Sequence, residues 1–178
     1  GIVFQQKLGS VADKTRRIVA LSGQIAEALD ADSSVTQRAA TLAKCDLVTN
    51  LVLEFPDLQG IAGAHYAHHD GESESVASAI EQHYWPRFSG DQLPNSAEAS
   101  AVALADRLDT LVGIFGIGQA PTGSKDPFAL RRGALAVIRL LVNLDSPLTL
   151  LDLAQRAVQE YPENLLDSDT ATAVTEYT

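Results

Sequence analysis

The sequence predicts an all-α fold, a compact helical bundle. Apolar residues recur at three- and four-residue spacing, capping residues precede most of these runs, and no alternating strand pattern of useful length occurs. The chain has 178 residues, 46 % of them hydrophobic. That is enough to bury one core, so residues 1–178 are expected to form a single domain.

Ser10 is placed to cap a first helix of residues 11–29, with Val11, Ile18, Leu21, Ile25 and Leu29 on one face. The run from Ser34 to Gln37 has capping-box form and predicts a second helix reaching Glu54, where Pro56 stops it. A shorter helix is expected from Ser73 to Tyr84, closed by Trp85-Pro86, followed by a loop from Ser89 to Asn95. Asn95 with Glu98 predicts the next start, with Ala101, Leu104, Ala105, Leu108, Leu111 and Val112 as its apolar face. Asp126-Pro127 reads as an N-cap with proline at the first helical position, opening a helix to Asn143. Thr149 opens another that Pro162 breaks, and residues 170–178 read as a helix stopped in mid-course. With no methionine in the chain, this predicts a fragment of a longer protein.

The net charge is −10, which disfavours a surface wrapped broadly in nucleic acid, because neutralising phosphates needs clustered Lys and Arg. The basic residues are clustered, however. Lys7, Lys14, Arg16 and Arg17 lie near the start, and Lys125, Arg131 and Arg132 in the middle. These are the candidate phosphate contacts. One cysteine, Cys45, excludes a disulfide framework and predicts a reducing, cytoplasmic setting. No apolar run approaches the ~18 residues of a membrane span, so no membrane partner is expected.

Three features suggest site chemistry. His65, His68 and His69 fall within five positions and Asp70 follows, as a metal or phosphate site would require. Asp46, after Cys45, is expected inside the second helix on a face with Leu42, Asn50 and Leu53. Asp106 and Asp109 share a face of their helix. Paired carboxylates there can hold a divalent ion or act as bases, although a solvated face is the commoner outcome. Gly118 and Gly123 are spaced as in a P-loop, but Ser124-Lys125 reverses the required order and a helix precedes the loop, so that reading fails. What remains is a glycine loop leading to a helix start, with free N–H groups and cations suited to phosphate.

The acids and histidines together resemble the HD superfamily of helical, metal-dependent phosphohydrolases, with Asp46, His68, His69 and Asp106 as the candidate ligands. Cys45 stands where the histidine of the defining pair belongs, and the first helix holds no histidine. The resemblance therefore implies an HD-type bundle with a degenerate site and no metal expected. The alternative is a retained phosphohydrolase acting on a nucleotide or RNA phosphoester.

Longer runs resemble the β subunit of the bacterial two-subunit glycyl-tRNA synthetase. They are Phe4 to Ile18, Leu42 to Thr49, Glu54 to Gly60, Tyr66 to Glu72, Tyr84 to Gly90, Ala105 to Leu111 and Gly113 to Arg132. The resemblance implies an enzyme that joins glycine to tRNA-Gly using ATP. It places the glycine, ATP and Mg2+ chemistry in the α subunit and most tRNA recognition in β. This chain would then carry no cofactor and no catalytic residue of its own. Its partners would be tRNA-Gly, the α subunit and the rest of β. The histidines would hold the fold or face RNA.

Overall fold

The chain begins with a short hairpin, the only strands in the computed structural model, which describes residues 1–178. Strands β1 (Val3–Gln5) and β2 (Gly9–Ser10) pair antiparallel, with Val3 opposite Ser10. Ser10 then caps α1 (Val11–Ala28). Its Oγ accepts the Asp13 amide at 3.1 Å while the Asp13 carboxylate accepts the Ser10 amide at 2.8 Å. Two orphan donors are thus satisfied reciprocally.

The expected long second helix is divided. α2 (Ser33–Leu42) is capped by Asp32, whose Oδ1 accepts the Ser34 and Val35 amides at 2.9 and 3.1 Å, so the box expected from Ser34 to Gln37 is not used. A 3₁₀ turn then takes up Cys45–Val48, and α3 (Asn50–Glu54) starts afresh with Thr49 as its cap. The break lets Lys44 and Asp46 serve two different neighbours. Lys44 reaches an aspartate of the central helix. Asp46 turns to the next helix, α4 (Ile61–His69), where its Oδ2 accepts the amides of Gly60 and Gly63 at 2.8 and 3.2 Å. Asp46 is thus a buried capping group supplied from outside the helix that it caps.

Helix α4 is absent from the sequence-based expectation, which read this segment for its chemistry. Its start depends on Gly60, which has φ 81° and lies against the Tyr84 ring, where a Cβ would come within 2.7 Å of Cδ2. α5 (Glu74–Gln82) follows, capped by Ser73 as expected. α6 (Ala97–Gly116) is capped by Ser96 and not by Asn95, and Glu98 accepts the Asp32 amide at 2.9 Å in place of closing a box of its own.

α7 (Leu130–Leu144) begins later than expected. Ala129 adopts a left-handed conformation at the N-cap, so Pro127 is not at the first helical position. Asp126 still caps, reaching forward to accept the Leu130 and Arg131 amides at 2.8 and 3.0 Å. α8 (Leu150–Gln159) has Thr149 as its cap, and α9 (Thr170–Tyr177) completes the fold.

Helix α6 is the axis of the bundle: α1, α2, α5, α7, α8 and α9 all pack on it. Its alanines Ala99, Ala101, Ala103 and Ala105 and its large residues Leu104, Leu108, Leu111 and Ile114 are all buried. A helix apolar around its circumference belongs at a core, and small residues let its neighbours approach closely. Gly113 sits beneath Tyr161 and Leu8, with no room for a side chain. No helix is long and apolar enough to cross a membrane.

Asp46→Ala should therefore destabilise the chain by about 1–2 kcal/mol through lost capping of α4. Denaturant unfolding reads the loss, and hydrogen exchange should speed up at the Gly60 and Gly63 amides while those of α6 keep their relative protection.

Candidate functional site

The charged residues of α1 and α6 meet inside the bundle. Burial of a charge is tolerated when opposite charges and hydrogen bonds surround it. Asp109 is 2 % exposed. Its Oδ1 accepts Arg17 Nε at 2.6 Å and its Oδ2 accepts Lys14 Nζ at 3.0 Å. Arg17 also donates to the Leu8 carbonyl at 3.2 Å and stacks over Tyr161 at 4.1 Å, while the Tyr161 hydroxyl donates to the Asp109 carbonyl at 2.8 Å. Burial would lower the Arg17 pKa, but the Asp109 carboxylate outweighs it and the net shift is upward.

One turn earlier, Asp106 lies between two ammonium groups. Lys14 Nζ is 3.1 Å from Oδ1 and Lys44 Nζ is 2.8 Å from Oδ2. Burial alone would raise the Asp106 pKa; Lys44, then Lys14, overcome this and hold the carboxyl well below the usual range. Lys44 also sits 2.9 Å from His83 Nε2 and 4.2 Å over the Tyr84 ring. His83 is fully buried, and its Nδ1 lies 2.5 Å from the Ile80 carbonyl. A carbonyl can only accept, so Nδ1 carries the ring proton and Nε2 accepts a hydrogen bond from the Lys44 ammonium. Burial, then the Lys44 charge, pull the His83 pKa down to about 3, so the ring is neutral. Arg107 completes the centre, donating to the carbonyls of His83, Tyr84 and Pro86 at 2.8, 2.7 and 3.1 Å. It thereby fixes the segment after α5.

These contacts correct several expectations. Lys14 and Arg17 were predicted to touch phosphate; both are buried and ion-paired to α6. Asp106 and Asp109 do share a face, but it is buried, not solvated. The candidate ligands Asp46, His68, His69 and Asp106 are not brought together. Asp46 caps α4, and Asp106 is matched by two lysines. His68 and His69 are exposed at the end of α4, paired with Glu74 and Asp70. The residues present do not fit a divalent ion, because a cation entering beside Asp106 would meet the Lys14 and Lys44 ammonium groups. The free amides expected at the start of α7 are likewise occupied, by Asp126.

The other predicted phosphate contacts lie outside. Lys7, Arg16, Lys125, Arg131 and Arg132 are exposed. Arg16 pairs with Asp13 at 2.5 Å, and Arg131 donates to the Gly123 carbonyl at 2.5 Å. Arg132 stands at the edge of a cleft of about 620 Å³ between β1, the segment after α5, and the start of α7. Phe4, Tyr84, Phe128, Arg87 and Arg107 line it, with Asp106 among its walls. Phe4 and Phe128 meet edge to face at 6.3 Å. Sequence reading missed Lys44, His83, Arg107 and this aromatic cleft. The signal available was charge of both signs inside an apolar helix, Asp106-Arg107-Leu108-Asp109, together with a lone lysine in the apolar run around Leu42 and Ala43.

The geometry defines a helical module built around an internal ion network, with a cation- and aromatic-lined cleft at its edge. Over residues 1–178 the chain matches the family model described as glycyl-tRNA synthetase beta subunit, and it belongs to that family. It is 55 % identical over 176 residues to a glycine–tRNA ligase beta subunit of Edwardsiella ictaluri, 53 % to one of Proteus mirabilis and 52 % to one of Mannheimia succiniciproducens. Each alignment covers 99 % of this chain but 26 % of the relative, so the chain spans about a quarter of their length.

Two outcomes test the ion network. Asp109→Ala leaves Arg17 buried without a carboxylate and takes away one of the two paired with Lys14, and should destabilise the fold by about 3–5 kcal/mol, read by denaturant unfolding. Stability should also depend on pH. His83 protonates only near pH 3 in the folded chain but near about 6.5 when unfolded, and Asp106 too is held below its unfolded value. The unfolded chain therefore binds more protons as pH falls, and stability falls with it. Thermal unfolding should be unaffected by these groups above about pH 7 and drop progressively below about 6.5. His83→Gln should flatten the part of that slope lying above the carboxylate range.

Proposed function

We propose that this chain works as part of a glycyl-tRNA synthetase β subunit, which together with an α subunit attaches glycine to tRNA-Gly using ATP. The observation that carries the reading is a family match along the whole chain, with identities above half to glycine–tRNA ligase beta subunits. In this reading the α subunit binds glycine, ATP and Mg2+. The present module contributes no reacting group and positions tRNA, and the enzyme is soluble and cytoplasmic. Its remaining acidic surface serves contacts with the α subunit and the rest of β.

The exposed cations support a positioning role. Lys7, Arg16, Lys125, Arg131 and Arg132 lie at the surface, where contacts to phosphate fix register without reading sequence. Lys125, Arg131 and Arg132 belong to the glycine loop and the first turn of α7, so they form one local patch on an acidic molecule. The phosphohydrolase alternative has no comparable support, since its ligand set is dispersed.

In the intact two-subunit enzyme, Arg131→Glu with Arg132→Glu should weaken tRNA binding about tenfold or more. It should also reduce the dependence of log affinity on log salt by about 0.7–0.9 per lost phosphate contact. Unchanged affinity and slope would overturn the assignment. The present chain by itself should give no aminoacylation in a charging assay.

A further inference from the structure

We propose that the cleft between β1, the segment after α5 and α7 is a subsite for an unpaired RNA nucleotide. Its base would sit among Phe4, Tyr84 and Phe128, and its phosphate on Arg132. The inference rests on the tRNA-positioning reading above and names the part of the RNA that the module takes.

The volume suits such a ligand. A cavity of about 620 Å³ lies within the roughly 300–1,000 Å³ range of small-molecule sites, whereas the edge of a closed duplex needs an open groove. The lining suits it as well. Phe4, Tyr84 and Phe128 are all half-buried, each leaving part of its ring toward the cleft. Their positions are set from behind. Phe4 is backed by the Lys14 ammonium at 4.7 Å, Tyr84 by Lys44 at 4.2 Å and by His83 at 4.0 Å between ring centroids, and Phe128 by Phe4. Rigid, half-exposed aromatic faces are what unpaired bases stack upon.

Polar groups complete the match. Arg132 is exposed at the mouth and makes no ion pair within the chain, so its guanidinium is free for a phosphate. Gln59 lines the cleft, and its carboxamide makes no hydrogen bond within the chain. It can both donate to and accept from a base edge. The one carboxylate in the wall, Asp106, is neutralised by two lysines and so does not repel a nucleotide.

The cleft also continues in a direction a strand could follow. Pro86 and Arg132 line a second, smaller depression with Phe88 and Arg139. Phe88 is 58 % exposed. An arginine between two aromatic positions is the order that a short single strand presents, base, phosphate, base.

Photo-crosslinking on the intact two-subunit synthetase tests the proposal. The probes are a six-nucleotide single-stranded RNA bearing 4-thiouridine and a blunt duplex carrying the same label. The single strand should label peptides containing Phe4, Tyr84 or Phe128, and the duplex should not. Arg132→Ala and Phe128→Leu should each cut that labelling about tenfold, the scale of one stacked base or one phosphate contact, with an unchanged melting temperature. Labelling confined to other peptides overturns the proposal, as does equal labelling by the duplex. If tRNA affinity falls with Arg131→Glu while the cleft peptides stay unlabelled, the subsite fails and the positioning reading survives. If neither responds, both fail. If the cleft variants instead disrupt α–β assembly without changing RNA labelling, the cleft docks protein and the proposal is wrong.

Discussion

The packing of α1 on α6 depends on burying charge, and the rest of the molecule is arranged to make that tolerable. Two helices that placed Lys14 and Arg17 against Asp106 and Asp109 with any group unpaired would be penalised by several kcal/mol per ion. The arrangement avoids this by drawing partners from distant parts of the chain. Lys44 comes from the turn after α2, His83 from the end of α5, and Tyr161 from the segment after α8. An ion network of this kind does not make a core stronger than a well-packed apolar one. It does make a single register of α1 on α6 preferable, because a slip of one turn would separate Arg17 from Asp109 and Lys14 from one of its two aspartates.

That economy also sorts the basic residues by role. Cations that looked equivalent along the chain divide into those consumed by the interior and those left at the surface. Three of the surface set, Lys125, Arg131 and Arg132, gather near the start of α7, on a molecule of net charge −10. A local positive patch on an acidic body is suited to contacting one stretch of polyanion, and ill suited to wrapping it. The same interior fixes the walls of the cleft: Arg107 ties down three successive parts of the segment carrying Tyr84, and Lys14 and Lys44 lie behind the aromatic rings. Structural charge and candidate binding surface are therefore two sides of one layer.

The helical class and most helix starts were legible in the sequence because their causes are local. Ser10, Ser73 and Thr149 cap where they stand, and the apolar spacing of α6 is a property of that segment alone. What escaped was whatever depended on a partner far along the chain. The split between α2 and α3 has no glycine or proline to announce it; it follows from Lys44 and Asp46 serving neighbours at opposite sides. Helix α4 takes its cap from Asp46, 14 residues earlier, so no local signature marks its beginning. The site failed for the same reason. Asp106 and Asp109 meet their cations across 62 to 95 residues, and His83, isolated in sequence, is the histidine that is buried, whereas His68 and His69 are crowded in sequence and solvated.

Lys44 balances the central carboxylate from within the chain. Its ammonium lies between a carboxylate and an imidazole nitrogen, the ligand types that would otherwise recruit a transition metal. A counter-ion attached to the backbone is delivered at synthesis, in fixed stoichiometry, and it cannot be stripped by a chelator or exchanged for a competing ion. The charge of Asp106, in the wall beneath the cleft, is thus balanced by side chains of the same chain, Lys14 and Lys44.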